Sequence, residues 1–123
     1  MNKDCVIGLI TDGYKDTQLN KIQALNLMRY MKRDNIIISE EFGSEKPNPS
    51  NYIYFMNKYP DQEYIYVGDN IQKDFLAANE LQWTTICLLD DGQNIHKQEF
   101  DKFNNQFQPQ IKIENILQVL NYI

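Results

Sequence analysis

Apolar runs and segments of helical spacing alternate along this chain of 123 residues. Continuous apolar runs are typical of strands that are covered on both faces. Four such runs are present, and they begin at about Cys5, Ile36, Tyr64 and Thr84. Helices between these strands imply a parallel sheet with right-handed crossovers. We therefore expect an α/β fold, a three-layer Rossmann-like parallel sheet, that forms a single domain over residues 1–123.

Polar residues mark the ends of the first two predicted helices. Asp16 or Thr17 can cap the first helix, and Asn26 can end it in the left-handed conformation. Asn48 can cap the second helix, which then begins with Pro49 at a position where the missing N–H costs nothing. Four residues are expected to form the inner face of this second helix, namely Tyr52, Phe55, Met56 and Tyr59.

Three further helices are predicted in the second half of the chain. One covers roughly Ile71 to Leu81, and a short one lies at about residues 98–103, inside the polar stretch 90–108. The last helix covers residues 114–123. Its apolar residues recur at helical spacing and are expected to face inward, namely Ile116, Leu117 and Leu120.

Charge and composition exclude several classes of partner. The chain has 17 acidic and 12 basic residues, a net charge of −5, and its basic residues are scattered. Because nucleic-acid binding needs a basic stripe or patch, we expect no nucleic-acid partner. The sequence has no apolar run of about 18 residues and no signal-peptide pattern, so we expect no membrane association and a cytoplasmic location. The two cysteines, Cys5 and Cys87, lie in apolar runs, which favours buried free thiols over a disulfide.

The segment from Gly68 to Asp74 carries the most chemistry. Gly68 and Asp69 end the third apolar run, and Asp74 follows five residues later, near the start of a predicted helix. Two carboxylates at the carboxyl edge of a parallel sheet suit Mg²⁺, which prefers one or two carboxylates together with waters and substrate phosphate. The alternative is a plain strand-to-helix turn, with glycine for tightness and Asp74 favouring the helix N-terminus.

Two other loops carry residues that suit phosphate. Thr11, Asp12 and Gly13 follow the first apolar run, where a hydroxyl and backbone N–H groups can hold a phosphate oxygen. Lys46 precedes the second predicted helix, where an ammonium can neutralise phosphate charge. Each feature also has a simpler interpretation, because Thr, Asp and Gly favour turns and a loop lysine is usually solvated.

The order of these features resembles the haloacid dehalogenase superfamily, whose members are mostly Mg²⁺-dependent phosphatases and phosphohydrolases. Residues 8–13 look like the family's second motif, residues 39–47 like its third, and residues 67–78 like its fourth. The resemblance covers nearly the whole chain, and the combination of motifs is far more specific than any one of them.

The resemblance implies a role for each candidate residue. Its phosphate-binding set comprises Thr11, Asp12, Gly13 and Lys46. Within that set Thr11 and Lys46 are catalytic: Thr11 binds the phosphoryl group, and Lys46 offsets the charge of the aspartyl intermediate. Asp69 and Asp74 hold Mg²⁺, directly or through water. The substrate is then a small phosphorylated metabolite.

The sequence departs from the family pattern in two places. Gln82 stands where the family usually has a glycine after a helix, and a left-handed residue there would be strained by about 1–2 kcal/mol. More important, the sequence lacks the first motif, Asp-x-Asp, which supplies the nucleophile and the general acid. Asp12 is a poor substitute, because no second aspartate stands two positions after it. The chain thus resembles a core without its first strand and without a cap domain.

Three hypotheses follow from the missing motif. The chain is part of a phosphatase whose nucleophile strand lies on another chain or was lost by truncation, and is then inactive by itself and binds Mg²⁺ weakly. Alternatively, it is a non-catalytic phosphate- and metal-binding or protein-interaction module, or a structural relic. The missing strand belongs between the strands of the second and fourth motifs. Either the sheet closes there, so that those strands share hydrogen bonds, or a second chain supplies a strand.

Overall fold

The computed structural model describes residues 5–90 and 98–123, and the chain divides into two compact units. The first, here called the N-terminal unit, ends at Pro60, and the C-terminal unit runs from Asp61 to Ile123. Within the described ranges the chain forms five β-strands and four α-helices, joined by turns and 3₁₀ helices. The organisation of residues 1–123 as one domain stays a prediction.

The N-terminal unit consists of a two-stranded parallel sheet and three helices. Strands β1 (Leu9–Thr11) and β2 (Ile36–Ile38) pair with Leu9 opposite Ile36. The helices are α1 (Lys15–Ala24), α2 (Ser39–Phe42) and α3 (Ser50–Lys58). Ile22 of α1 packs with Ile36 and Ile38 of β2 to form the core, and Leu9, Leu19, Leu27 and Met31 cover this core.

The ends of α1 and α3 agree in part with the predictions. Asn26 is left-handed, with φ 55°, as expected of a residue that ends a helix. Helix α1 begins at Lys15, however, so neither Asp16 nor Thr17 caps it. Asn48 does cap α3, because its Oδ1 accepts a hydrogen bond from the N–H of Ser50 at 2.9 Å. The helix begins at Ser50, one residue later than predicted, and Tyr52 on its inner face is fully buried.

The first strand is shorter than predicted. Residues Cys5–Gly8 have no regular structure, and Val6 is 60% exposed. The reason is that β2 has three residues, so its ladder with β1 ends at Leu9 and leaves the preceding residues without a strand neighbour among the described residues. The prediction that Cys5 is buried is wrong, because its thiol is exposed, whereas Cys87 is fully buried. Neither cysteine forms a disulfide, as predicted.

The C-terminal unit contains a three-stranded sheet. Its strands lie in the order β3 (Ile65–Gly68), β4 (Thr84–Leu88) and β5 (Ile111–Ile113), all parallel. Helix α4 (Leu76–Glu80) connects β3 to β4. The core consists of Ile71, Phe75 and Cys87, with Tyr66, Phe100, Phe103 and Phe107 packed against it. The predicted α/β class with parallel strands is confirmed, and β5, which the sequence pattern missed, extends the sheet.

Helices of the C-terminal unit are shorter than predicted. The helix expected from Ile71 is reduced to α4, because residues 70–74 form a turn. The helix expected at residues 98–103 is a 3₁₀ turn over Phe100–Lys102, and residues 91–97 of the polar stretch lie outside the described residues.

The last predicted helix is a 3₁₀ helix over Ile116–Asn121. Ile116, Leu117 and Leu120 were expected to face inward, and all three are exposed, Leu117 by 68%. A 3₁₀ helix has 3.0 residues per turn, so Leu117 and Leu120, three positions apart, share one face of the helix, while Ile116 lies on another face. The expected inner face is therefore lost.

The two sheets have separate strand partners. β1 pairs with β2, and β3 pairs with β4, so β1 and β3 belong to different sheets. Because β1 lies in the N-terminal unit and β3 in the C-terminal unit, closure of the sheet between them, or a strand supplied there by a second chain, stays a prediction. Among the described residues, no helix is long and apolar enough to cross a membrane.

Gln82 provides a test of the backbone after α4. Its φ is 65°, which is strained for a residue with a Cβ, and its side chain is exposed. We expect Gln82→Gly to raise the free energy of unfolding by roughly 0.5–1 kcal/mol, the relieved strain less the entropy that glycine loses on folding. Glu80→Gly, inside α4, should lower the free energy of unfolding by about 1 kcal/mol. Urea unfolding measures both values, and equal destabilisation by the two glycines would contradict the left-handed assignment.

Candidate functional site

The turn after β1 is held by Ser39, which directly follows β2. The N–H of Gly13 donates to Ser39 Oγ at 2.8 Å, and the Ser39 hydroxyl donates back to the Gly13 carbonyl at 3.3 Å. Because β1 and β2 are parallel, their carboxyl ends meet at one edge of the sheet and bring these residues together. Sequence reasoning assigned no role to Ser39, and the separation of 26 positions between the partners gives no local signal of the contact.

Thr11 and Gly13 are both engaged with Gln18 of α1. The Thr11 hydroxyl donates to Gln18 Oε1 at 2.9 Å. A Cβ at Gly13 would lie 2.5 Å from Gln18 Nε2, and Gly13 has a φ of 144°, so the position requires glycine. A hydroxyl carries one proton, so a phosphate oxygen would have to take the place of Gln18 to receive it. No pattern in the sequence pointed to a role for Gln18.

The backbone of Lys46 contacts the side chain of Asp12. The Lys46 N–H donates to Asp12 Oδ1 at 3.1 Å, which joins the loop before α3 to the turn after β1. The four candidate residues for phosphate binding all lie in the N-terminal unit: Thr11 ends β1, Asp12 and Gly13 follow it, and Lys46 lies on the loop between α2 and α3.

An ion-paired glutamate fixes the helix that begins at Ser39. Glu41 of α2 accepts from Arg33 at 2.6 Å and pairs with Lys15 of α1 at 3.4 Å. The Arg33 guanidinium, and after it Lys15, hold the pKa of the Glu41 carboxyl below its usual value, although partial burial opposes them. Helix α2 is thereby tied to α1, which keeps Ser39 beside Gly13.

Asp74 anchors the turn after β3. Its side chain is 2% exposed, and its Oδ2 accepts from the N–H groups of Asp69 at 3.0 Å and Asn70 at 2.8 Å. Its Oδ1 accepts from the Tyr66 hydroxyl at 3.3 Å. A Cβ on Gly68 would lie 2.5 Å from Oδ2, so this approach requires the glycine of the Gly-Asp-x4-Asp pattern. Both Asp74 oxygens thus serve to shape the turn.

Asp69 is the carboxylate that this turn presents to solvent. It is exposed at the end of β3, and its backbone N–H is fixed by Asp74. Among the described residues, no group of three or more His, Cys, Asp or Glu side chains could hold a metal ion. A single hard carboxylate nevertheless fits Mg²⁺, which completes its shell with waters and substrate phosphate. Asp69 is the residue that would contact the ion, and Asp74 would orient it.

Cys87 of β4 lies beneath this turn and is chemically inert. Burial, and after it the charges of Asp69 and Asp74, raises the pKa of the Cys87 thiol to about 11. The thiol is therefore protonated at neutral pH and serves neither as a nucleophile nor as a metal ligand.

The fold defines a class of α/β proteins with motif-bearing loops at the carboxyl ends of parallel strands, and comparison with known proteins identifies the family. The sequence model of the haloacid dehalogenase-like hydrolases matches residues 1–88, most of the chain. The chain belongs to this family, which confirms the resemblance found in its motifs.

Two curated relatives are phosphatases by name. The chain is 35% identical over 85 residues to a glyceraldehyde 3-phosphate phosphatase of Methanocaldococcus jannaschii, a match that covers 68% of this chain and 36% of the relative. It is 27% identical over 119 residues to the protein of the same name from Methanopyrus kandleri, covering 95% of this chain and 48% of the relative. The chain therefore spans about a third to a half of the length of the relatives it matches.

A solved structure supports the fold. The magnesium-bound structure of YfnB from Bacillus subtilis, assigned to the HAD hydrolases, matches with a TM-score of 0.73 at 17% identity. The match covers 95% of this chain and 48% of that protein. At this identity the likeness concerns the fold.

The two aspartates of the turn should differ in their effect on stability. Asp74→Ala removes a buried carboxylate that accepts three hydrogen bonds, so we expect the free energy of unfolding to fall by about 2–4 kcal/mol. Asp69→Ala changes an exposed side chain and should alter it by less than about 0.5 kcal/mol. Denaturant unfolding without metal measures both variants, and equal effects would refute the anchoring role of Asp74.

Proposed function

We propose that this chain is the core of a Mg²⁺-dependent phosphohydrolase that acts on a small phosphorylated metabolite. The observation that carries the proposal is the turn after β3, where the buried Asp74 holds the backbone so that Asp69 presents its carboxylate at the strand end. Family membership and the two phosphatases among the relatives support the reaction class. The chain spans part of each relative, so the substrate and activity of the whole protein belong to the proposal.

Each candidate residue then has a distinct task. Thr11 donates its hydroxyl proton to a phosphate oxygen, and Lys46 offsets the negative charge of the transferred group. Asp12 and Gly13 shape the loop that receives the phosphate, as the contacts with Lys46 and Ser39 indicate. Asp69 would hold Mg²⁺, which supplies positive charge for phosphoryl chemistry when it is bound.

The chain by itself is proposed to be inactive. Its sequence contains no Asp-x-Asp, the pattern that supplies the nucleophile and general acid in this family. Without a positioned nucleophile, phosphate positioning and charge stabilisation remain, and neither forms the covalent intermediate.

A second candidate function is a non-catalytic phosphate- or metal-binding, or protein-interaction, module. The protein-interaction alternative is favoured over phosphate binding because two groups that would bind phosphate are used within the chain: the Thr11 hydroxyl donates to Gln18 and the Gly13 N–H donates to Ser39. A partner chain could add a strand beside β1, where Val6 and Ile7 are exposed. A cytoplasmic location stays a prediction.

Magnesium binding tests the metal site. We expect the parent chain to bind Mg²⁺ with a Kd of roughly millimolar, because the ion gains a single well-placed protein carboxylate. Asp69→Ala should abolish saturable binding in an NMR titration of the backbone amides. Asp101→Ala, which removes another exposed carboxylate of the C-terminal unit, is the matched control and should bind like the parent. An equal Mg²⁺ response in the parent and Asp69→Ala would show that Asp69 holds no metal.

Turnover tests the proposed inactivity. We expect no hydrolysis of para-nitrophenyl phosphate above background with the isolated chain and saturating Mg²⁺, because the nucleophile is missing. Asp12→Asn serves as the diagnostic variant. Mg²⁺-dependent hydrolysis by the parent that Asp12→Asn abolishes would identify Asp12 as the nucleophile and overturn this part of the proposal.

A further inference from the structure

We infer that Gln98 is a positioning residue for Asp69, an inference that rests on the proposed magnesium site. The Gln98 carboxamide donates through Nε2 to the carbonyl oxygens of Asp69 at 2.9 Å and Leu88 at 2.8 Å. Its Oε1 accepts from the N–H of Asp90 at 2.6 Å. All these residues lie in the C-terminal unit. One side chain therefore joins the turn after β3 to the end of β4.

Asp74 and Gln98 hold the two backbone polar groups of Asp69. Asp74 accepts from the backbone N–H of Asp69, and Gln98 donates to the backbone carbonyl of the same residue. With both of its backbone polar groups held, Asp69 has little freedom in φ and ψ, and its Cα–Cβ bond keeps one direction. The carboxylate then remains aimed without any contact between Gln98 and the carboxylate itself.

The chemistry of the contact requires a carboxamide. Two carbonyl oxygens need donors and one N–H needs an acceptor, and glutamine offers two N–H donors and one acceptor oxygen on a single planar group. A methionine of similar length offers neither. Removing a residue that orients a metal ligand by a hydrogen bond commonly lowers the metal affinity by about 10–100-fold.

Gln108 provides a matched control. Its Nε2 also donates to two backbone carbonyls, those of Phe100 at 2.7 Å and Phe103 at 2.9 Å, within the same unit. Gln98→Met and Gln108→Met therefore each remove two hydrogen bonds to backbone carbonyls. Only the Gln98 variant removes a hydrogen bond to Asp69. We expect Gln98→Met to weaken Mg²⁺ binding by about tenfold and Gln108→Met to leave it unchanged, as measured by the backbone-amide titration.

A second measurement needs no metal. Hydrogen exchange of the Asp69 and Asn70 amides, which donate to Asp74, should accelerate several-fold in Gln98→Met and stay at the parent rate in Gln108→Met. If Gln98→Met does not fold, Gln98→Asn, whose carboxamide is one methylene shorter, takes its place in both measurements.

The outcomes separate this inference from the proposed function. Parent-like Mg²⁺ affinity and parent-like exchange in the Gln98 variant would overturn the positioning role, even where Asp69→Ala abolishes binding. Equal effects of the Gln98 and Gln108 variants would reduce Gln98 to an ordinary structural residue and overturn the role as well. If Asp69→Ala binds Mg²⁺ like the parent, the metal site fails, and faster amide exchange in Gln98→Met alone would still support the ordering of the Asp69 turn.

Discussion

The buried carboxylate of Asp74 is the interaction on which the C-terminal unit depends. A carboxylate that is 2% exposed is costly to desolvate unless donors surround it, and here two backbone N–H groups and the Tyr66 hydroxyl do so. Its position requires glycine at residue 68 and forces residues 70–74 into a turn. The shortened α4 and the exposed Asp69 both follow from this one group.

The structure unites two interpretations that the sequence left as alternatives. The Gly-Asp-x4-Asp pattern indicated either a metal site or a tight strand-to-helix turn. Asp74 makes the turn, and the turn exposes Asp69, whose single carboxylate suits a hard cation. The two aspartates of the pattern thus have different positions: Asp74 is buried and accepts hydrogen bonds from the backbone, and Asp69 is exposed at the end of β3.

The sequence predicted the features that depend on neighbouring residues in the chain, and it missed those that depend on contacts with other elements. The buried runs at Ile36 and Thr84 predicted the first residues of β2 and β4, because continuous apolar side chains have few alternatives to a covered strand. The predictions of a strand over Cys5–Gly8 and of a buried face on the last helix were wrong. Burial of these segments needs a neighbouring surface that no local pattern specifies. The contacts of Ser39, Gln18 and Gln98 were missed for the same reason: each joins a polar side chain to a turn that lies distant in sequence or on another element.

The N-terminal unit shows what phosphate binding would cost this chain. The Thr11 hydroxyl and the Gly13 N–H are both engaged in internal hydrogen bonds, so an incoming phosphate must exchange with Gln18 before Thr11 can donate to it. An ordinary internal hydrogen bond contributes about 1 kcal/mol. Loss of the bond between Thr11 and Gln18 therefore lowers the affinity for phosphate roughly fivefold if nothing replaces that bond. If Lys46 pairs with the phosphate as proposed, that contact would offset this cost, because a hydrogen bond between charged groups is about twice as strong as a neutral one. Selectivity for a charged phosphoryl group over a neutral hydroxyl compound then follows from the same contact, since the neutral compound meets the cost of displacing Gln18 without the charged gain.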